Sequence, residues 1–177
     1  MEVFQGRPAD VTGRLKKEIA VYDLLDQLDI PFRRVDHDHA DTMEMCQEID
    51  QALGQDICKN LFLCNRQKTK FYLLLMPGSK PFKTKDLSAQ IGSSRLSFGG
   101  PEDMERLLNL TPGSVTVLGL MYDPDCQVTL LIDQDLYQQS AFGCHPCINT
   151  STVQFSTADL REKLLPALGH PVTLVQL

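Results

Sequence analysis

The segments Ile57-Cys58-Lys59-Asn60-Leu61-Phe62-Leu63-Cys64 and Lys70-Phe71-Tyr72-Leu73-Leu74-Leu75-Met76 decide the fold class. Both are rich in apolar residues and have the length of a strand. The residues between them, Asn65-Arg66-Gln67-Lys68-Thr69, are polar and suit a turn. The pattern therefore predicts a β-hairpin near the middle of the chain.

Helical periodicity appears on both sides of this hairpin. Five apolar residues recur at helical spacing and Pro31 ends the pattern, which predicts a helix over residues 12–29. Asp41-Thr42-Met43-Glu44 has the character of a helix start, and Gly54 that of a helix end. Pro101 followed by two carboxylates predicts another start. The remaining helices are predicted at Lys85 to Ile91 and from Ser156 to about Leu168.

Further strands are predicted at residues 32–37, 149–155 and 171–177. A second hairpin is predicted from Val115–Met121 and Gln127–Ile132, around Tyr122-Asp123-Pro124-Asp125. Because strands outnumber helices and tight turns join several of them, we expect an α+β fold. It would be a single domain, residues 11–177, with a mainly antiparallel, partly mixed sheet flanked by helices, preceded by an N-terminal extension at residues 1–10.

Composition places the chain among ordinary globular proteins of one domain. It has 177 residues, 42% of them hydrophobic, and a net charge of −6. No stretch resembles a signal peptide or a membrane anchor, so we expect a cytoplasmic protein with reduced cysteines and no membrane partner. Residues 59–95, however, hold eight basic residues and one acidic residue, a net charge of +7. Such a zone suits a small phosphate-rich partner, or it is a solvated lysine-rich surface.

Familiar catalytic motifs are absent, including the phosphate-binding loop, the nucleophile elbow and the zinc helix. Cys144-His145-Pro146-Cys147 admits a redox pair or half of a zinc site. The pair follows Gly143 and precedes a predicted strand rather than starting a helix, and no second cysteine pair is present. We therefore expect no metal and no cofactor.

Lys59 is a charged residue inside an apolar strand. Alternation places it on one face with Leu61 and Leu63. A lysine directed at a core must reach a cavity, a carboxylate or a phosphate. On an edge strand its stem would pack and its amine would reach water. The residues alone leave both interpretations open.

Four motifs in order resemble a known family. They are Lys59-Asn60-Leu61-Phe62-Leu63, Ser94-Arg95-Leu96-Ser97-Phe98, Thr111-Pro112-Gly113-Ser114-Val115 and Gly143-x-His145-Pro146-x-x-Asn149-Thr150. Together they are similar to the prolyl-tRNA synthetase-associated editing domain of the YbaK-like superfamily, in its free-standing PrdX/ProX branch. His37 and Thr42-x-Glu44 match an earlier stretch of that branch, and the resemblance runs from about Val11 to Leu177.

The resemblance implies hydrolysis of the ester between a misattached amino acid, usually alanine, and the 3′-terminal adenosine of tRNA(Pro). It implies that tRNA is a binding partner, and it is compatible with prolyl-tRNA synthetase as a second partner. Lys59 would meet the terminal adenosine or its phosphate, and His145 would orient the amine or the attacking water. The Gly113 turn would direct backbone N–H groups at the ester carbonyl. The implied catalytic residues are Lys59 and His145, and the implied substrate-binding residues are His37, Thr42, Asn60, Arg95, Ser97, Gly113, Ser114 and Asn149.

The sequence departs from the family pattern in three places. The loop that usually reads Gly-x-x-x-Pro ends here in Val117, Cys144 and Cys147 replace an aromatic residue and asparagine, and Asp38 replaces a frequent proline. These changes bear on pocket size and on which amino acid is removed. Val117 also keeps open a rival interpretation, in which the chain binds aminoacyl-tRNA or a synthetase without hydrolysis.

Overall fold

The computed structural model describes all 177 residues, and its strands form two sheets. The strands are β1 Phe4–Gln5, β2 Arg33–Asp36, β3 Lys59–Cys64, β4 Phe71–Met76, β5 Ser97–Phe98, β6 Val128–Asp133, β7 Ala141–Cys144, β8 Ser151–Ser156 and β9 Val172–Val175. The four-stranded sheet, in the order β1-β2-β8-β7, is antiparallel throughout. The five-stranded sheet, in the order β5-β3-β4-β6-β9, is mixed, because β6 runs parallel to β4 and β9. The α+β class is confirmed, with the strands divided between two sheets.

The predicted helices are all present. They are α1 Lys16–Gln27, α2 Met43–Leu53, α3 Thr84–Ile91 and α4 Pro101–Leu108, with a C-terminal helical segment over Thr157–Asp159, Leu160–Leu164 and Leu165–Leu168. Their ends follow the predicted signals. The Thr42 hydroxyl accepts a hydrogen bond from the Met45 N–H at 3.2 Å, and Gly54 ends α2 with a φ of +68°. None of these helices combines the length and the apolar character that crossing a bilayer requires.

The central hairpin is confirmed, and it separates two parts of the core. β3 and β4 pair antiparallel from Lys59↔Met76 to Cys64↔Phe71. Phe62 belongs to a cluster of 30 buried residues on one side, whereas Leu63 belongs to a cluster of 8 on the other. All of β4 is buried. Burial on both faces explains why this segment is continuously apolar.

The predicted second hairpin is wrong. Val115–Met121 is not a strand; Val117–Tyr122 forms a 3-10 helix, which the Thr116 hydroxyl caps by accepting from the Leu118 N–H at 3.3 Å. The carboxylate of Asp123 then accepts from the N–H groups of Gln127 and Val128, at 3.0 and 2.8 Å, and turns the chain into β6. Side-chain capping decided the outcome here, since a short buried apolar run suits either structure.

Three strands were not predicted, the two-residue β5, which pairs with β3, among them. Phe4 and Gln5 pair with β2, so part of the segment expected to precede the domain contributes an edge strand. The guanidinium of Arg34 lies 4.6 Å from the centre of the Phe4 ring, and Arg7 pairs with Asp23 at 2.8 Å. β7, the third of these strands, pairs with β8 and ends directly before His145. This β7–β8 hairpin positions the site described next.

Candidate functional site

A cavity of about 490 Å³ lies where α2, the start of β3 and the β7–β8 turn meet. Lys59 and His145 both line it, although they are 86 positions apart in the sequence. Lys59 begins a strand of the five-stranded sheet, and His145 follows a strand of the four-stranded sheet. Ile49 and Asp50 contribute from α2, and Asp56 and Thr152 contribute from the neighbouring segments. The volume is typical of a small-molecule site.

Lys59 is half-buried at the first position of β3. Its Nζ donates a hydrogen bond to the main-chain oxygen of Lys80, and it forms no ion pair with any carboxylate. On the side away from β4, β3 is paired only at Leu63 and Cys64, so Lys59 has no strand neighbour there. An ammonium group has three N–H donors. The remaining donors are therefore available to an anion in the cavity.

His145 follows β7 directly, and its ring nitrogens have different roles. Nδ1 lies 2.8 Å from the main-chain oxygen of Ser151, and because a carbonyl only accepts, Nδ1 carries the proton. Burial lowers the pKa of His145; the hydrogen bond to Ser151 opposes this, and the charge of a protonated His37 adds to it. The ring is therefore neutral near pH 7. Nε2 keeps a lone pair that no group of the protein occupies.

Thr152 connects His145 to His37, a role that no sequence pattern indicates. His37 donates from Nδ1 to the Asp38 oxygen at 2.7 Å, and in the neutral form of this ring Nε2 accepts from the Thr152 hydroxyl at 2.9 Å. The same hydroxyl oxygen lies 3.4 Å from Nδ1 of His145. The two rings are 6.0 Å apart between centroids. One hydroxyl thus orients one histidine and lies against the other.

Asn60 and Asn149 do not line the cavity, and their amides hold the backbone. The oxygen of Asn60 accepts from the Val117 N–H at 3.1 Å. The oxygen of Asn149 accepts from the Ala40 N–H at 3.1 Å, while its amide nitrogen donates to Asp41 at 2.9 Å. Both residues were predicted to bind substrate. These contacts show that Asn60 holds Val117 and that Asn149 holds Ala40, a residue of the cavity lining. Direct substrate contact stays a prediction.

The turn at Gly113 lies beside Asn149 and does not line the cavity. Gly113 has a φ of +89°, and an added Cβ would lie 2.9 Å from the Asn149 amide nitrogen, so only glycine suits this position. The Ser114 hydroxyl is buried and donates to the Thr111 oxygen at 2.8 Å. Thr42 is likewise occupied, as the cap of α2. The structure assigns these two hydroxyls to local folding.

Arg95 and Ser97 are not brought to the cavity. Ser97 pairs with Cys64 at the far end of β3 from Lys59. Six strand residues separate the two ends by about 17 Å. Arg95 is exposed and forms no ion pair. Its position is suited to a contact some distance from the cavity.

Cys144 and Cys147 are buried members of the large core cluster. Burial raises the pKa of each thiol to about 12, so both are thiols rather than thiolates at neutral pH. No group of three or more histidine, cysteine, aspartate or glutamate side chains is placed to hold a metal ion. The arrangement is that of packing groups.

The basic segment is less uniform than its charge suggests. Lys80 pairs with Asp133 and Asp135, each at 2.7 Å, and donates to the Leu177 oxygen at 2.8 Å. Lys80 is therefore not among the cations that are available to bind a phosphate. Apart from the half-buried Lys59, the other six are exposed and form no ion pairs: Arg66, Lys68, Lys70, Lys83, Lys85 and Arg95.

A family model described as the aminoacyl-tRNA editing domain matches residues 37–163. The chain belongs to this family. The match begins at His37 and includes Lys59, Thr152 and His145, so the whole cavity described above lies in the editing domain or directly on its boundary.

Similarity to individual proteins is consistent with membership in this family. The prolyl-tRNA editing protein ProX of Acetoanaerobium sticklandii is 33% identical over 158 residues, covering 89% of this chain and 96% of that protein. The prolyl-tRNA synthetase associated domain-containing protein 1 of Danio rerio is 28% identical, covering 90% of this chain and 86% of the relative. A solved structure proposed to be a trans-editing enzyme for prolyl tRNA synthetase superposes with a TM-score of 0.65 at 17% identity, over 92% of this chain and 98% of the other. That last likeness shows the fold of the editing domain.

Proposed function

We propose that the protein is a trans-editing hydrolase, an aminoacyl-tRNA deacylase that removes a mischarged small amino acid, alanine first, from tRNA(Pro). The observation that carries the proposal is the convergence of Lys59 and His145 on one cavity. Membership in the editing-domain family and the relatives named for prolyl-tRNA support the choice of substrate class.

The electrostatics of the cavity match the two ends of an aminoacylated adenosine. Lys59 is a cation without a carboxylate partner, which suits the terminal phosphate or ribose oxygens. Asp50 and Asp56 line the same cavity and suit the ammonium group of the amino acid. Burial raises the pKa of Asp50 and the neighbouring Asp56 adds to this, although a hydrogen bond from the Ile57 N–H opposes it.

The free Nε2 of His145 supplies the base that hydrolysis needs. Nε2 accepts a proton from water as the water oxygen bonds to the ester carbonyl carbon. The bond from that carbon to the ribose oxygen then breaks, and the proton passes to the ribose oxygen. The products are the free amino acid and tRNA with its terminal hydroxyl restored. No side-chain nucleophile takes part in this step.

Discrimination against proline would come from the size of the cavity near the ester. Ala40, Ile49 and Ile57 form the apolar part of its lining. A methyl side chain fits such a surface, whereas a rigid wall can exclude a ring. A small extra group that is admitted changes the preference by only about 1–3 kcal/mol. We therefore expect alanine to be removed fastest and serine more slowly.

The deciding experiment is release of labelled amino acid from alanyl-tRNA(Pro) by the purified protein in metal-free buffer. Prolyl-tRNA(Pro), seryl-tRNA(Pro) and alanyl-tRNA(Ala) serve as matched substrates, and co-elution with prolyl-tRNA synthetase tests the second partner. Rapid release from alanyl-tRNA(Pro), with prolyl-tRNA(Pro) spared, supports the proposal. No release from any of the four would contradict it.

Non-catalytic binding gains no support from Val117. The side chain of Val117 is fully buried and its N–H is bonded to Asn60. The loop is therefore held in place without the proline usual at this position, and we put forward no second function.

A further inference from the structure

An aromatic pair, Phe82 and Phe98, lies on the surface beyond the cavity. Phe98 is 64% exposed, a large fraction for an aromatic residue in a strand. The ring of Phe82, half-buried against the smaller core cluster, meets it edge-on with 6.3 Å between centroids. Phe82 thus supports Phe98 from below and leaves the Phe98 ring open to solvent.

The aromatic pair is joined to the cavity by the backbone. Phe82 is two residues from Lys80, so the Cα atoms of Lys80 and Phe82 are at most about 7 Å apart. The main-chain oxygen of Lys80 accepts the hydrogen bond from Lys59. Phe98 lies opposite Leu63 in the sheet, and the Gly99 N–H donates to the Phe62 oxygen at 2.9 Å. The pair therefore occupies the edge of the five-stranded sheet that begins at Lys59.

Unpaired cations border the aromatic pair. Lys83 follows Phe82, and Arg95 lies three residues before Phe98; both are exposed and neither forms an ion pair. The Arg66 N–H donates to the Ser94 hydroxyl at 3.2 Å, which brings the cationic hairpin turn to the same edge. Exposed rings interleaved with free cations are the features that bind single-stranded nucleic acid.

We propose that this edge binds the unpaired 3′ nucleotides of tRNA, with a base stacked on Phe98 and the phosphates along Lys83, Arg95 and Arg66. The inference rests on the proposed function, since it supplies the path by which the terminal adenosine reaches Lys59. β3 is about 17 Å long, enough for several nucleotides at the 3.4 Å rise of a stacked strand. Two rings are too small an area for a stable protein interface, which needs about 800 Å² on each partner.

The test uses two substrates and two apolar substitutions. Phe98→Ala is compared with Leu174→Ala, a 46% exposed residue of β9 at the opposite edge of the same sheet. Binding of uncharged tRNA and of a single-stranded RNA ending in CCA is measured first, because it does not depend on hydrolysis. We expect Phe98→Ala to weaken both by about 5- to 150-fold, Phe98→Trp to retain affinity, and Leu174→Ala to have no effect.

Hydrolysis then separates this proposal from the proposed function. Phe98→Ala should raise KM for alanyl-tRNA(Pro) with little change in kcat, and should leave hydrolysis of alanyl-adenosine, which lacks the upstream nucleotides, unaltered. Loss of RNA affinity in a protein that deacylates nothing would uphold the binding edge and refute the proposed function. Unchanged RNA affinity in Phe98→Ala, with deacylation intact, would refute the binding edge alone. Loss of synthetase binding with RNA affinity unchanged would also refute it.

Discussion

The backbone N–H of Val117 donates a hydrogen bond to the side-chain oxygen of Asn60 at 3.1 Å, linking the first residue of the 3-10 helix to the strand that carries Lys59. Val117 is fully buried, so its N–H has no access to water. Lys59, which directly precedes Asn60 in β3, lines the cavity. This one bond therefore couples a loop conformation to the position of the site.

If the bond between Val117 and Asn60 stabilises the fold, substitutions of the two residues should have non-additive effects on the free energy of unfolding. Asn60→Ala leaves a buried N–H without a partner, and we expect it to lower the free energy of unfolding by about 1–3 kcal/mol. Val117→Pro removes the donor instead. The double variant should be less destabilised than the sum of the single variants, because no orphaned N–H remains. Urea denaturation of the four proteins measures the coupling, and additivity within about 0.5 kcal/mol would show that the bond contributes little.

Lys59 is predicted to act on the reaction rather than on the fold. Lys59→Ala should lower kcat/KM for alanyl-tRNA(Pro) at least about tenfold, equal to ~1.4 kcal/mol of transition-state stabilisation. Its melting temperature should stay near that of the parent, since the lysine is half-buried and forms no ion pair. Lys16→Ala, at an exposed and unpaired lysine of α1, is the control. Full activity in Lys59→Ala would rule out its assigned role.

His145 gives the reaction a predictable pH dependence. Its pKa lies below the usual 6.5 because burial disfavours the charged ring, so the neutral base persists as the pH falls to that value. We expect kcat/KM to be flat from pH 8 down to about 6.5 and to fall at lower pH, as the ring becomes protonated. The other ionisable groups that line the cavity are Cys46, Asp50, Asp56, Cys58 and Lys59. The ring of His37 lies 6.0 Å from that of His145. A profile that declines with a midpoint above 7 would contradict a neutral His145.

Thr152 is predicted to be a positioning residue. Thr152→Val removes the hydroxyl that donates to His37 at 2.9 Å while keeping the shape of the side chain. We expect kcat to fall several-fold and the pH midpoint to move, with KM for tRNA little changed. Thr152→Ser restores the hydroxyl and should restore both. If Ser and Val variants behave alike, the hydroxyl has no part in orienting the histidines.

Sequence patterns predicted the elements whose residues carry local signals. The helix over Met43–Leu53 has a threonine cap and a glycine end, and the β3–β4 hairpin has two apolar runs around a polar turn. The division into two sheets and the parallel pairing of β6 depend on contacts distant in sequence, which a local pattern does not encode.

The site was predicted unevenly for a similar reason. Lys59 and His145 were found through a family resemblance, and the structure brings both to one cavity. Thr152 was missed because a threonine in a strand is ordinary, and its role arises only from the alignment of β8 with β2. Cys144 and Cys147, prominent in the sequence, are core residues. The charge pattern alone makes Lys80 a free cation, but in the structure it pairs with Asp133 and Asp135, more than 50 residues away.

The remaining prediction concerns the salt dependence of tRNA binding. Lys83 and Lys85 are exposed cations close in sequence to the aromatic pair, and neither has a carboxylate partner. Lys83→Glu and Lys85→Glu remove these two cations. If each meets a phosphate, the slope of log affinity against log salt should become shallower by roughly 0.7–0.9 for each cation. Lys16→Glu makes the same change of charge at an exposed, unpaired lysine of α1 and is the matched control.

Lys80→Glu is predicted to behave differently from both. Placing a third carboxylate beside Asp133 and Asp135 should destabilise the fold, because Lys80 now neutralises them and holds the C-terminal main chain. Its effect should appear as a lower melting temperature rather than as a change in slope. Filter binding between 50 and 300 mM salt and thermal denaturation measure the two quantities. Equal slopes for Lys83→Glu, Lys85→Glu and Lys16→Glu would mean that overall charge, and not this edge, governs the association.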